Sequence, residues 1–122
     1  MPYISSKDDR REKLRNGEPA LTAGELNYQI FYYVKHLPLY NHSIDKKQQI
    51  EKYIRNFLGD KPNYQKYNDL TGALIRCQRE IERRIPGKYD VECLLLEILN
   101  SYDDEIANYE DIKIITNGDV EW

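Results

Sequence analysis

Residues 64–85 read YQKYNDLTGALIRCQREIERRI. Tyr67, Leu70, Leu74, Cys77, Ile81 and Ile85 recur there in steps of three and four. That is the period of a helix that buries one stripe and leaves the rest in water. Arg76, Arg79, Glu80, Glu82, Arg83 and Arg84 occupy the remaining faces. Such a stripe must be covered by other elements, and its neighbours also carry helical patterning. The stretch therefore predicts a central helix over about 64–85 in an all-α fold.

Upstream, Thr22-Ala23-Gly24-Glu25 is a capping box, with Thr22 as cap and Glu25 reaching back from the third helical position. Leu26, Ile30, Phe31, Tyr33, Val34 and Leu37 follow as a broad apolar face, closed by Pro38. The run Phe31-Tyr32-Tyr33 also fits a strand; the capping box and the length favour a helix. Ser43 caps a third segment, in which Ile50, Tyr53, Ile54, Phe57 and Leu58 keep helical spacing and Gly59 supplies a left-handed end. Asp60-Lys61-Pro62 then turns into the central helix. Nearer the start, Ser6 with Asp8 and Asp9 opens a short helix that Asn16-Gly17 stops. The apolar opening Met1–Ile4 reads as an extended arm.

Downstream, Pro86-Gly87 ends the central helix and Asp90 caps another through Ile106, with Tyr89 stapled onto Leu94. Leu94, Leu95, Ile98, Leu99 and Tyr102 make its apolar face, widened by Leu96. In the last stretch, Asn117-Gly118 satisfies a two-residue hairpin as well as a helix ended by glycine. The reading taken is an irregular or helical segment with an extended tail. The expected architecture is thus one compact all-α domain, 1–122, of about five helices with a short extended or irregular C-terminal tail.

The chain has 122 residues, enough for one modest core, and a net charge of -3. That balance argues against a duplex-DNA coat, which needs many phosphate-neutralising cations. Eleven tyrosines against two phenylalanines and one tryptophan point to half-buried positions at core edges, pockets or subunit contacts. Cys77 and Cys93 form neither a disulfide framework nor a zinc set, and both read as buried thiols on apolar stripes. The first residues show no signal-peptide pattern and no run is long enough to span a membrane, so a cytoplasmic location is expected.

No segment carries a phosphate loop, dinucleotide fingerprint or nucleophile elbow. His36 and His42 are too few for zinc. Asp103, Asp104, Glu105, Glu110 and Asp111 read as a solvated acidic helix end. Arg76, Arg79 and Arg83 line one helical strip, and a guanidinium fork suits phosphate or carboxylate. The competing view of that strip is a solvated face paired with Glu80 and Glu82.

Met1-Pro2-Tyr3-Ile4, Thr22–Tyr28, Gly72, Leu74, Glu80, Arg83-Arg84, Tyr109-Glu110-Asp111, Lys113 and Asn117–Val120 together resemble a family of small phage and bacterial proteins with an uncharacterised domain. In that pattern the Arg-Arg pair is followed almost at once by Tyr-Glu-Asp; here Asp90–Ile106 lies between them. The resemblance attaches no activity. It does mark polar residues that a core does not need: Asn27, Tyr28, Glu80, Arg83, Arg84, Asp111, Lys113, Asn117 and Asp119.

The functional expectation is a non-catalytic phage-type accessory protein, homo-oligomeric, that binds a nucleotide-like molecule or a host protein, with no cofactor, metal or membrane partner. Its sharpest form is sequestration of a nucleotide-like defence signal. Arg79, Arg83 and Arg84 would grip phosphate, Tyr28 would stack on a base and Asn27 would read a base edge. One rival is an acidic inhibitor of a host enzyme; another is a small enzyme with Glu80 and Asp111 in general acid–base roles.

Overall fold

The computed structural model describes residues 9–36, 43–85 and 89–118. Five helices follow in order: α1 (Asp9–Arg15), α2 (Ala23–Lys35), α3 (Ser43–Leu58), α4 (Tyr64–Arg84) and α5 (Tyr89–Asn117). Among the described residues there is no strand, so the Phe31-Tyr32-Tyr33 run is helical. The Met1–Ile4 arm, the Ser6 start, the Pro38 and Pro86-Gly87 stops, the Ser43, Tyr89 and Asp90 cap readings, His42 and the tail after 118 lie outside what is described.

α4 organises the rest. Its stripe of Tyr67, Leu70, Ala73, Leu74, Cys77 and Ile81 is buried, and α2, α3 and α5 all pack against it, α2 most extensively. Leu26, Ile30 and Val34 of α2, Ile50 and Ile54 of α3, and Leu95 and Ile98 of α5 complete one core. Each such burial contributes about 1.5–3 kcal/mol, whereas the mid-helix Gly72 costs roughly 1 kcal/mol against alanine. The stripe therefore carries α4 through its glycine. Cys77 is fully enclosed, and burial pushes its thiol up to about 12. Cys93, expected inside, is exposed on α5.

The capping box forms with a shift. The backbone N–H of Glu25 donates to Thr22 Oγ1 at 3.2 Å, while Glu25 Oε1 accepts from the backbone of Leu21 at 2.9 Å, one residue beyond the usual partner. α4 starts on an Asn63 cap that the sequence reading passed over; Asn63 Oδ1 accepts from Lys66 N–H at 2.9 Å.

α5 continues well past Ile106, to Asn117. Nothing between Ile106 and Asn117 breaks a helix, and Ile106 and Tyr109 still pack on the core. Gly118, at φ +88, then closes it by donating to Ile114 O at 2.8 Å. The hairpin alternative for residues 109–118 is thereby replaced by helix. The last turns carry Ile112 and Ile115 at 62% and 85% exposure. No described helix is long and apolar enough to cross a membrane.

Candidate functional site

Placement of α1 decides the geometry here. Arg10 Nε and Nη2 donate to the two Glu25 oxygens at 2.9 and 2.8 Å, and Nη1 reaches Glu18 Oε2 at 3.0 Å. Gln29 of α2 donates from Nε2 to Leu14 O and Glu18 O at 2.8 and 2.9 Å. These bonds and the buried Leu14 fix α1 across α2, although α1 has only seven residues and would not persist alone.

Once fixed, Arg11 and Arg15, one turn apart, reach the aromatic face of α2. The Arg11 guanidinium lies 5.4 Å from the centre of the Tyr28 ring and that of Arg15 5.4 Å from Tyr32. Tyr28 and Tyr32 are stacked at 6.0 Å, and Tyr32 meets His36 at 4.3 Å. From the end of α4, Arg84 covers Phe31 at 5.0 Å. Together with Lys35, these residues line a cleft of about 300 Å³. Among its described lining residues there is no carboxylate, while Arg11, Arg15, Lys35 and Arg84 all carry positive charge.

A second cleft, of about 450 Å³, lies in the α2–α4 seam. Ala23, Gly24 and Asn27 form one wall; Gly72, Ala73, Arg76 and Glu80 form the other. Glu80 is buried and accepts from Arg83 Nη2 at 2.9 and 3.2 Å, with Arg84 at 3.9 Å. The Arg83 hydrogen bond holds the Glu80 carboxyl below the usual range, against the opposing effect of burial. Because Arg84 also lines the first cleft, the Glu80–Arg84 pair connects the two. Asn27 is 3% exposed, and its Oδ1 has no hydrogen-bond donor.

A third arrangement ties α3, α4 and α5. Arg55 donates to both Glu105 oxygens at 2.7 and 3.3 Å, and Tyr67 donates its phenol to Glu105 Oε2 at 2.9 Å. Arg55 also covers Tyr102 at 4.9 Å. The Arg55 hydrogen bond lowers the Glu105 pKa, while burial, aided by the bond to Glu105, pushes Tyr67 up to about 12. Of the acidic cluster, Glu105 is thus committed inside the fold, whereas Asp103, Asp104, Glu110 and Asp111 stand exposed.

The residues singled out from sequence separate into different places. Tyr28 and Arg84 share the cationic cleft, and Asn27 lines the seam cleft. Arg83 is turned onto Glu80, and Arg79 is exposed on α4 without lining either. Among the described residues Asn27 Oδ1 accepts no hydrogen bond, while the i, i+4 pairing of Glu80 with Arg84 is present. Arg11, Arg15 and Lys35 are not among the residues singled out from sequence, and His36 is weighed there only as a zinc ligand. Arg11 and Arg15 are one turn apart, as are Tyr28, Tyr32 and His36, but that spacing makes a site only once α1 lies across α2.

Asp111 does not line the Glu80 cleft. No set of three His, Cys, Asp or Glu side chains among the described residues is placed to hold a metal ion.

Neither a curated protein nor a solved structure matches the chain. The family model described as "Domain of unknown function (DUF6899)" matches residues 1–120, a span that takes in α5, and the chain belongs to that family.

Proposed function

We propose that this protein binds, without transforming it, a small anion that carries a planar group, in the cleft between α1, α2 and the end of α4. A nucleotide-like molecule has that chemistry. The observation that carries the reading is the convergence of Arg11, Arg15, Lys35 and Arg84 on Tyr28, Phe31 and Tyr32, in a chain whose net charge is -3. Arg11 and Arg15 repel each other at i, i+4. Among the described residues no carboxylate forms an ion pair with Arg15 or Lys35, and an incoming anion supplies one. The tyrosine faces accept a planar ring by stacking, and guanidinium groups above them add a cation–π contribution.

In this reading Tyr28 and Arg84 keep the stacking and anion-gripping roles drawn from the sequence. Arg11, Arg15 and Lys35 take the place of Arg79 and Arg83 as the remaining cations. The biological form of the proposal is a phage-type accessory protein, homo-oligomeric, that sequesters a nucleotide-like signal. The exposed Ile112 and Ile115 at the end of α5 favour a contact between subunits.

Native mass spectrometry of the protein purified from a bacterial lysate tests both parts. A retained phosphorus-containing ligand, lost from the Arg11→Ala/Arg15→Ala variant, is the expected result. A ligand-free species that captures a host protein through Asp103, Asp104, Glu110 and Asp111 would replace it with the acidic-inhibitor reading.

A further inference from the structure

The groove between the first turns of α4 and the far half of α5 has a chemistry opposite to that of the cationic cleft. It encloses about 220 Å³, with Tyr64, Tyr67 and Asn68 on one wall and Ile106, Tyr109 and Glu110 on the other. That is below the roughly 300–1,000 Å³ of a drug-sized pocket, so the space suits a headgroup rather than a whole cofactor. Among the described lining residues Glu110 carries the one charge, and it is negative.

Two of the hydroxyls along the groove are spent inside the fold. Thr71 Oγ1 donates to Tyr67 O at 3.1 Å, and the Tyr67 phenol donates to Glu105 Oε2 at 2.9 Å. What these residues leave to a guest is a methyl group and part of a ring. The Tyr67 and Tyr109 rings meet at 5.1 Å with their planes 55° apart, so they stand at an angle instead of lying flat on one another. Tyr64, 63% exposed, adds a third ring that the core does not require.

Such a set selects its guest by charge. The face of an aromatic ring is the negative part of its quadrupole, and Glu110 has the same sign, so an anion is disfavoured by both. A primary ammonium or a guanidinium brings several N–H donors, each in need of an acceptor. A quaternary ammonium brings charge without N–H groups, and its methyl shell packs on rings and on Ile106. A neutral guest of the same shape packs as well but gains nothing from Glu110. The chain supplies an instance of the same attraction: Lys113 Nζ lies 5.6 Å from the centre of the Tyr109 ring, from a position that does not line the groove.

We infer that the α4–α5 groove is a binding site for a small quaternary ammonium group, held by Tyr64, Tyr67 and Tyr109 with Glu110 as its counter-charge. The groove shares no lining residue with the anion cleft and does not rest on that reading.

The test is an NMR titration of the ¹⁵N-labelled full chain with choline and with dimethylbutanol, its neutral analogue in which carbon replaces the charged nitrogen. Choline shifts the resonances of Tyr64, Asn68, Tyr109 and Glu110 saturably, and the alcohol binds about tenfold more weakly. A peptide with one trimethyllysine, run beside choline, separates the two sources of such a group, and the tighter of the two identifies the source. Tyr64→Ala and Glu110→Gln alter exposed side chains, and each weakens choline binding about fivefold. Thermal melting checks that both variants fold. The Arg11→Ala/Arg15→Ala variant binds choline as the parent does, whatever becomes of the anion. Choline and peptide that move no groove resonance, an alcohol that binds as tightly as choline, or folded variants that bind as the parent does overturn the inference.

Discussion

The α1–α2 cleft and the α3–α5 contact treat charge in opposite ways. At the α3–α5 contact one carboxylate, Glu105, takes two bonds from Arg55 and one from Tyr67, so its partners neutralise each other within the fold. Around the cleft, cations converge over aromatic rings and no carboxylate appears among the described lining residues. A matched network ties helices together and leaves little over for a ligand. A one-signed cluster over rings adds nothing comparable to the fold and suits an external anion. On the function proposed above, the difference separates a structural region from a binding one.

The sharpest way to break this comparison is to remove cations from the cleft. Arg11→Ala/Arg15→Ala is expected to weaken binding of adenosine monophosphate about a hundredfold, near 2.7 kcal/mol. Its unfolding free energy should fall by no more than about 2 kcal/mol, the loss of two arginine–tyrosine contacts, because Leu14, Arg10 and Gln29 still hold α1 on α2. Calorimetric titration and denaturant unfolding read the two effects separately.

Glu105→Ala should do the reverse. It leaves Arg55 and Tyr67 without their shared acceptor and is expected to cost about 1–2 kcal/mol in urea unfolding, discounted because Arg55 is mostly exposed. Nucleotide affinity should not change. If Glu105→Ala weakened binding, the division into two regions would fail.

A smaller effect is expected at Gly72. Gly72→Ala should stabilise the fold by up to about 1 kcal/mol, since an added Cβ meets no described atom. A loss of stability would mean that the α2–α4 seam closes more tightly than its geometry shows.

The smallest effect is in acid. Glu105 has a folded pKa lowered by Arg55, so its contribution is present above the unfolded value of about 4.3 and is lost as pH falls through the folded value. Melting temperature should therefore be flat from neutral pH to about 5 and fall below about 4. Glu105→Gln should flatten that fall without abolishing it, because Glu25 and Glu80 are lowered in the same direction.

Much of the fold was legible because the deciding signals are local. The 64–85 stripe, the Thr22 cap and Gly59 each act within a few residues, and all three stand. The end of α5 was harder: Asn117-Gly118 serves a hairpin and a helix stop equally, and only the packing of Ile106 and Tyr109 carries the helix on. Cys93 was misplaced because it lies off the buried stripe of Val91, Leu94, Leu95, Ile98 and Tyr102, on the side of the exposed Leu96.

The cleft was only half legible. Tyr28 and Arg84 stood out, yet Arg11 and Arg15 acquire meaning only after Arg10–Glu25 and Gln29 lay α1 across α2. That contact spans 15 residues and leaves no periodic trace. Arg79 looked equivalent to Arg83 along the helix, but of the two it is Arg83 that bonds Glu80.

The most direct measurement is an NMR titration of the ¹⁵N-labelled protein with adenosine monophosphate, with adenosine and inorganic phosphate run separately. The account predicts saturable shifts at Tyr28, Tyr32 and Lys35. They should be strongest for the nucleotide, weaker for either half, and absent in Arg11→Ala/Arg15→Ala. Shifts that gathered around Arg79 and Arg83 instead, or a nucleotide that bound the variant as well as the parent, would contradict it.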